Sequence, residues 1–152
     1  MHGAKSFAMT YVALGIAGAV IASVLTSFHI SIGAEEKLCS AAAGCGTVNA
    51  SPYSTIGAVP IALLGLGAYV VVVVVALLSL RSRRVWEWSA IAIFSISLIG
   101  TLYSAYLTYL ELFVIRAVCP WCVASALIMT AIWGVSILEF RQRQRRGVVA
   151  PA

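Results

Sequence analysis

Charged side chains are what this sequence has least of: ten basic and five acidic residues among 152, a tenth of the chain against about a quarter in soluble domains. That scarcity excludes an ordinary soluble fold. The charges are also confined, to Lys5, Glu35, Glu36, Lys37, Arg81, Arg83, Arg84, Glu87, Glu111, Arg116, Glu139, Arg141, Arg143, Arg145 and Arg146, which leaves charge-free intervals at 6–34, 38–80, 88–110 and 117–138. Apart from Glu111 at the outer end of the third apolar span, no carboxylate, lysine or arginine lies inside a span. This argues against a proton-coupled or drug transporter, whose pathway is marked by intramembrane ionisable groups. Internal repeats, low-complexity tracts and a separate soluble domain are also lacking. Nor does the net charge of +5 indicate a nucleic-acid reader, because seven of the ten basic residues form two short clusters beside apolar spans, where they orient a membrane protein.

What is present is hydrophobic: 62% of residues, with a mean hydropathy of +1.02. We read an all-α integral membrane protein, a bundle of four transmembrane helices with spans at about 7–31, 59–80, 88–112 and 117–138. The 22 residues of the last span cover about 33 Å as a helix, enough for a hydrocarbon core of about 30 Å. Pro60 fits a first helical turn, where its missing N–H costs nothing. The valine run 70–75 resembles a buried strand, but an open strand cannot satisfy its backbone in lipid and a helix can. The first span exceeds the ~7–15 apolar residues of a secretion signal and lacks a convincing cleavage site, so it is expected to remain in the mature protein.

Orientation follows from the basic residues in the flanks. Lys5, Arg81, Arg83, Arg84, Arg141, Arg143, Arg145 and Arg146 fall on one side, Lys37 and Arg116 on the other, which puts both termini and the 81–87 loop in the cytoplasm. The 32–58 loop and the 113–116 turn are then outside. Trp86 and Trp88 read as interface anchors, and 141–146 as a cytoplasmic tail.

All four cysteines land on the outer side, where disulfides form and persist. Cys119-Pro120-Trp121-Cys122 stands at a helix start, with Cys119 suited to the cap and Pro120 to the first helical position. A helix N-terminus stabilises a thiolate and so favours an exchangeable redox couple; a metal site and a plain structural bridge remain open. Cys39 and Cys45 are separated only by small residues, which suits either disulfide exchange or a structural clip. A zinc site made of all four thiolates fits the unequal spacings and the oxidising side less well, so no metal is expected. The loop carrying the first pair spans about 27 residues, longer than the roughly 12–15 beyond which loops are commonly functional, and its segment 49–54 reads as a turn followed by a lid.

Other residues carry weaker signals. Tyr103, Tyr106 and Tyr109 recur every third residue on one helix face, suited to an aromatic pocket, packing or an outer aromatic belt. Trp121 suits packing or anchoring. Glu111, Arg116 and His29 read mainly as surface or interface residues near the outer mouth, the alternatives being a contribution of protons there and, for His29, a proton or ligand contact. Gly15 and Gly18, like Gly65 and Gly67, suit close helix approach.

Taken together, Cys39 and Cys45, Ser51 six residues after the second, the stretches 51–54 and 57–65, and Glu111-Leu112-Phe113 leading into Cys119-Pro120-Trp121-Cys122 resemble bacterial homologues of the vitamin K epoxide reductase (VKOR) family, over roughly residues 10–140. The order, loop pair first and CxxC later, fits this family better than the other quinone-linked thiol oxidases of the DsbB type, although the implied function is DsbB-like. The resemblance implies a four-helix bundle enclosing a quinone and capped by an extracytoplasmic loop with a short helical segment, in the cell (inner) membrane. It implies that a reduced, secreted thioredoxin-like (DsbA-like) protein meets Cys39, that Cys45 exchanges with Cys119, and that Cys122 lies nearest the quinone. Ser51, Trp121, Tyr106, Tyr109 and Ala126 are the quinone-pocket residues it suggests. On the alternative readings of Glu111, Arg116 and His29, the protons are those of quinol formation and the ligand at His29 is the quinone. Animal members place a tyrosine four residues after the last cysteine; Ala126 stands there, so a respiratory quinone, ubiquinone or menaquinone, is expected in place of the epoxide. Many bacterial members also carry a fused thioredoxin-like domain. With none in this sequence, the expected partner is a separate protein. The competing reading is a noncatalytic tetraspan assembly or transport subunit whose disulfides clip its outer loops.

Overall fold

In a computed structural model of the chain, the residues described are 2–30, 47–48, 51–56 and 59–145. Cys39 and Cys45, with residues 49–50 of the expected lid, lie outside them, as does the side chain of His29. Among the described residues four helices are long and apolar enough to cross a membrane. They are α1 (His2–Ile30), α2 (Ile61–Arg81), α3 (Arg83–Tyr109) and α4 (Pro120–Arg145). Each packs chiefly against its two neighbours in ring order, α1 on α2, α2 on α3, α3 on α4 and α4 on α1. The valine run lies in the interior of α2, where backbone N–H and C=O groups bond within the same helix. Before α2, a 3-10 turn at Pro52–Ser54 leads into a two-stranded ribbon of β1 (Thr55–Ile56) and β2 (Val59–Pro60), with Thr55 opposite Pro60.

The helix ends depart from the sequence reading in three places. The expected 81–87 loop shrinks to Ser82, whose extended backbone (φ −136°, ψ 130°) separates α2 from α3. No proline or glycine in 83–87 interrupts the following helix. Helical structure on the third span continues past 112 through a π-helical turn, Leu110–Ile115. Finally, α4 starts at Pro120 and runs to Arg145, so the stretch 141–146 read as a tail is largely helix.

The last difference has an electrostatic cause. Glu139 and Arg143, four residues apart on α4, are both 5% exposed and form the one salt bridge among the described residues. Tyr11 Oη donates to Glu139 Oε2 (2.8 Å), and Arg143 Nη1 donates to the Trp86 carbonyl (2.8 Å). The guanidinium also lies 3.8 Å from the centroid of the Trp86 ring. Trp86 is therefore part of a buried polar lock joining α1, α3 and α4, and only Trp88, 68% exposed, has an anchor's outward position. A charge in a span was not expected here. It is tolerated because the pair and its hydrogen bonds satisfy one another.

Close approach governs the other half of the bundle. A Cβ at Gly15 would lie 2.6 Å from Val73 Cγ2, and one at Gly18 would collide with the Tyr69 ring. Gly65 and Gly67, by contrast, face open space, so only the first glycine pair serves helix contact. Seated against Gly18, Tyr69 is almost wholly buried and donates its hydroxyl to the Ser125 carbonyl of α4 (2.8 Å).

Two outcomes are expected. Gly18→Ala should destabilise the bundle by about 1–3 kcal/mol through overpacking, while Gly65→Ala should stay within about 0.5 kcal/mol, both read from thermal unfolding in detergent micelles. Glu139→Ala, which strands a buried guanidinium, should cost about 3–5 kcal/mol in the same measurement.

Candidate functional site

The site begins where α3 stops being an α-helix. In the turn Leu110–Ile115 the hydrogen bonds widen to the π pattern, which inserts an extra residue and rotates the side chains that follow. Leu110 and Glu111 are buried there, while Leu112, Phe113 and Val114 face outward. The turn closes at Arg116, which adopts the left-handed conformation (φ 54°, ψ 34°) uncommon for a non-glycine residue. The N–H groups of Arg116 and Ala117 both point to the Glu111 carbonyl, the latter at 3.1 Å. Glu111 is thus held through its main chain, and its carboxylate is turned inward.

The carboxylate meets the start of α4. Cys119 occupies the cap position, with its carbonyl accepting the first helical bond from Val123 N–H (3.1 Å), and Pro120 takes the first helical position, as the sequence indicates. The cap's own N–H donates to Glu111 Oε2 (3.2 Å). The Cys122 side chain also hydrogen-bonds the Glu111 carboxylate. Cys119 is fully buried and disulfide-bonded; Cys122 is half-buried. Both cysteines of the motif are therefore engaged, and a single carboxylate touches the backbone of one and the side chain of the other.

Beside them lies an apolar wall. Leu25 and Cys119 are its buried members, and Ile21, Val24, Val48, Ala62, Trp121 and Cys122 pack against them. Three helices and the segment before the ribbon thus converge on the motif. Ser51 is half-buried, and its hydroxyl donates to the Val48 carbonyl (2.7 Å), which ties it to the edge of this wall. Ala126, one turn along α4 from Cys122, is half-buried, and its carbonyl accepts from Thr130 Oγ1 (2.8 Å). Tyr106 and Tyr109 are more than half exposed on the outside of α3; Tyr106 lies 6.2 Å from the half-buried Tyr103, and Tyr109 lies 4.9 Å from Phe113, ring to ring. The structure therefore gathers Cys119, Trp121 and Cys122, with Ser51 at their border, and leaves those two tyrosines apart.

Two residues gain a place the sequence reading did not give them. Glu111, read as a surface group, is 3% exposed. Its signal was present: it is the one carboxylate inside an apolar span, eight residues before Cys119. Tyr69, a lone hydroxyl before the valine run, links α2 to Ser125, three residues beyond Cys122. Among the described residues, no group of three or more His, Cys, Asp or Glu is placed to hold a metal ion.

Comparison with known proteins agrees with this arrangement. The model of the vitamin K epoxide reductase family matches residues 9–137, well over half of the chain. No curated protein matches the chain significantly. The family implies, in general, membrane oxidoreductase activity linking thiol–disulfide exchange to quinones. A ring of four membrane-spanning helices with a CxxC motif at the mouth of the last, matched along 9–137, places the chain in the vitamin K epoxide reductase family.

Proposed function

We propose that this protein reoxidises a secreted thioredoxin-like (DsbA-like) dithiol protein at the expense of a membrane quinone, and so supports disulfide formation outside the cell's cytoplasm. Electrons enter at Cys39 and Cys45, pass from Cys45 to Cys119 by thiol–disulfide exchange, and leave from Cys122. Overall, two substrate thiols become a disulfide and the quinone becomes a quinol. The termini and the basic end of the bundle face the cytoplasm, and the cysteines face the other side.

One observation carries the reading: Cys119 is buried and disulfide-bonded while the Cys122 side chain hydrogen-bonds a buried carboxylate. A structural clip has no need of a carboxylate at its second cysteine. Exchange does, because the reactive form of a thiol is the thiolate and each transfer moves a proton. Cys122 also sits in the first turn of α4, where the helix dipole favours a negative sulfur.

The residues around the motif suit a quinone. Ile21, Val24, Leu25, Ala62 and Trp121 form an apolar wall for a flat ring, in keeping with pockets that are mostly apolar with few polar groups. When bound, the quinone supplies the two-electron acceptance that cysteine pairs lack. The chain's own part is to hold Cys122 at that wall, to keep water from it, and to fix the motif through the cap hydrogen bond to Glu111. Ala126 leaves the helix surface beyond Cys122 without a phenol, which favours ubiquinone or menaquinone over the epoxide as acceptor.

Cys119→Ala and Cys122→Ala are each expected to abolish quinone reduction by a reduced thioredoxin-like protein; turnover retained in either would refute the route. Cys39→Ala should block the protein donor and leave reduction by dithiothreitol partly intact, and equal loss with both donors would contradict entry at that cysteine. Mass mapping should find a mixture of disulfides that shifts on adding dithiol or quinone. A single reduction-resistant pattern would instead support a noncatalytic subunit.

A further inference from the structure

We infer that Glu111 is a catalytic residue, the group that carries the proton between thiols during exchange at the CPWC motif. The inference rests on the exchange reading of that motif and adds to it a residue and a role.

Three features lead to it. The π turn exists at a cost in helical regularity, and its effect is to bury Glu111 while its followers in sequence face outward. Among the described residues the carboxylate's polar partners are the Cys119 N–H at 3.2 Å and the Cys122 side chain. Among the described residues no ion pair involves Glu111: the salt bridge of the bundle is at its other end, and Arg116, the cation nearest in sequence, is exposed and bonds through its N–H. A carboxylate buried among helices, with no countercharge among the described residues, is costly in a membrane protein, and such groups mark function. Here it touches a sulfur that must gain and lose a proton.

The step balances without any further reagent. A thiol attacks Cys119 Sγ as its thiolate, its proton passing to Glu111. The bond between Cys119 and Cys122 breaks, a bond between the attacking sulfur and Cys119 forms, and the electron pair leaves on Cys122 Sγ. Glu111 then returns the proton to that sulfur. In the reverse direction, Cys122 gives its proton to Glu111 as it attacks Cys119 and expels the other sulfur as a thiolate, which is protonated in turn. The contact between the carboxylate and Cys122, with Cys119 in a disulfide, is the arrangement this step requires on its product side. The Cys119 N–H keeps the carboxylate in register throughout, since it belongs to the backbone and does not change with redox state.

The test uses the full chain in lipid nanodiscs, with two readouts. In the first, dithiothreitol reduces a soluble quinone analogue: Glu111→Gln, which keeps the acceptor for the Cys119 N–H but cannot hold the proton, is expected to lose about 100-fold in turnover. Glu111→Asp, a carboxylate one methylene shorter, should recover part of that loss, whereas a merely structural role would make it no better than Gln. In the second, Cys122 is the sole thiol, the other three cysteines being alanine, and its alkylation by iodoacetamide is followed from acid to alkaline pH. With Glu111 the profile should show two coupled steps, and with Gln a single step. Superimposable profiles, together with unchanged turnover in Glu111→Gln, would overturn the assignment while leaving the function standing. A two-step profile in a protein that never reduces quinone would support the shared proton and refute the function instead. If Glu111→Gln does not accumulate as folded protein, the protein with Glu111 intact and Cys122 as its sole thiol decides alone: a single-step alkylation profile there would overturn the role.

Discussion

Inside a bilayer no water is available to a polar group, so donors, acceptors and charges within this bundle are favoured where they find a partner in the protein; among the described residues the Trp86 and Trp133 indole N–H groups and the Thr101 hydroxyl are buried without one. The rest of the structure follows from how that preference is met. Hydroxyls along the helices turn back on their own backbones, as Thr26 does to the Ala22 carbonyl and Ser97 to that of Ile93. Such bonds are local and hold nothing together. The groups that reach across helices are few, and they occur at three levels of the bundle.

At the basic end, Glu139 and Arg143 are joined to Tyr11 and to Trp86, so that α1, α3 and α4 share one network. In the middle, Tyr69 fills the space left by Gly18 and bonds to Ser125, tying α2 to both α1 and α4. At the opposite end, Glu111 bonds to Cys119 and Cys122 and ties the end of α3 to the start of α4. The first two networks consist of hydrogen bonds and an ion pair that join helices. The third contains a thiol and a carboxylate in contact, two groups that can exchange a proton. Cross-helix contacts at two levels thus frame the third, where the proposed chemistry would take place.

Much of this was legible in the primary structure. Fifteen charges in 152 residues mark out the apolar spans, and the Cys-Pro-Trp-Cys spacing marks the mouth of the fourth. Pro120 at the first helical position and Cys119 at the cap follow from proline's missing N–H alone. Less legible were the helix ends. A count of charged residues places Glu139 and Arg143 outside a span and Glu111 at its surface, because hydropathy weighs each residue singly and is blind to pairing. The four glycines read alike, yet only Gly15 and Gly18 meet a neighbour. Likewise the threefold recurrence of Tyr103, Tyr106 and Tyr109 identifies a face, but whether that face looks into the bundle depends on how α3 is rotated, and Tyr106 and Tyr109 look out.

By itself, then, the sequence determined the membrane as the solvent, the number of crossings and the presence of a CxxC motif at the start of the last span, because these depend on composition and on spacing along the chain. The tertiary structure alone decided which polar groups are buried together. The π turn at Leu110–Ile115 is a backbone event with no residue type of its own, and it turns a carboxylate toward two cysteines on another helix. Burial and pairing are properties of three-dimensional neighbours, and no reading of residues in order contains them.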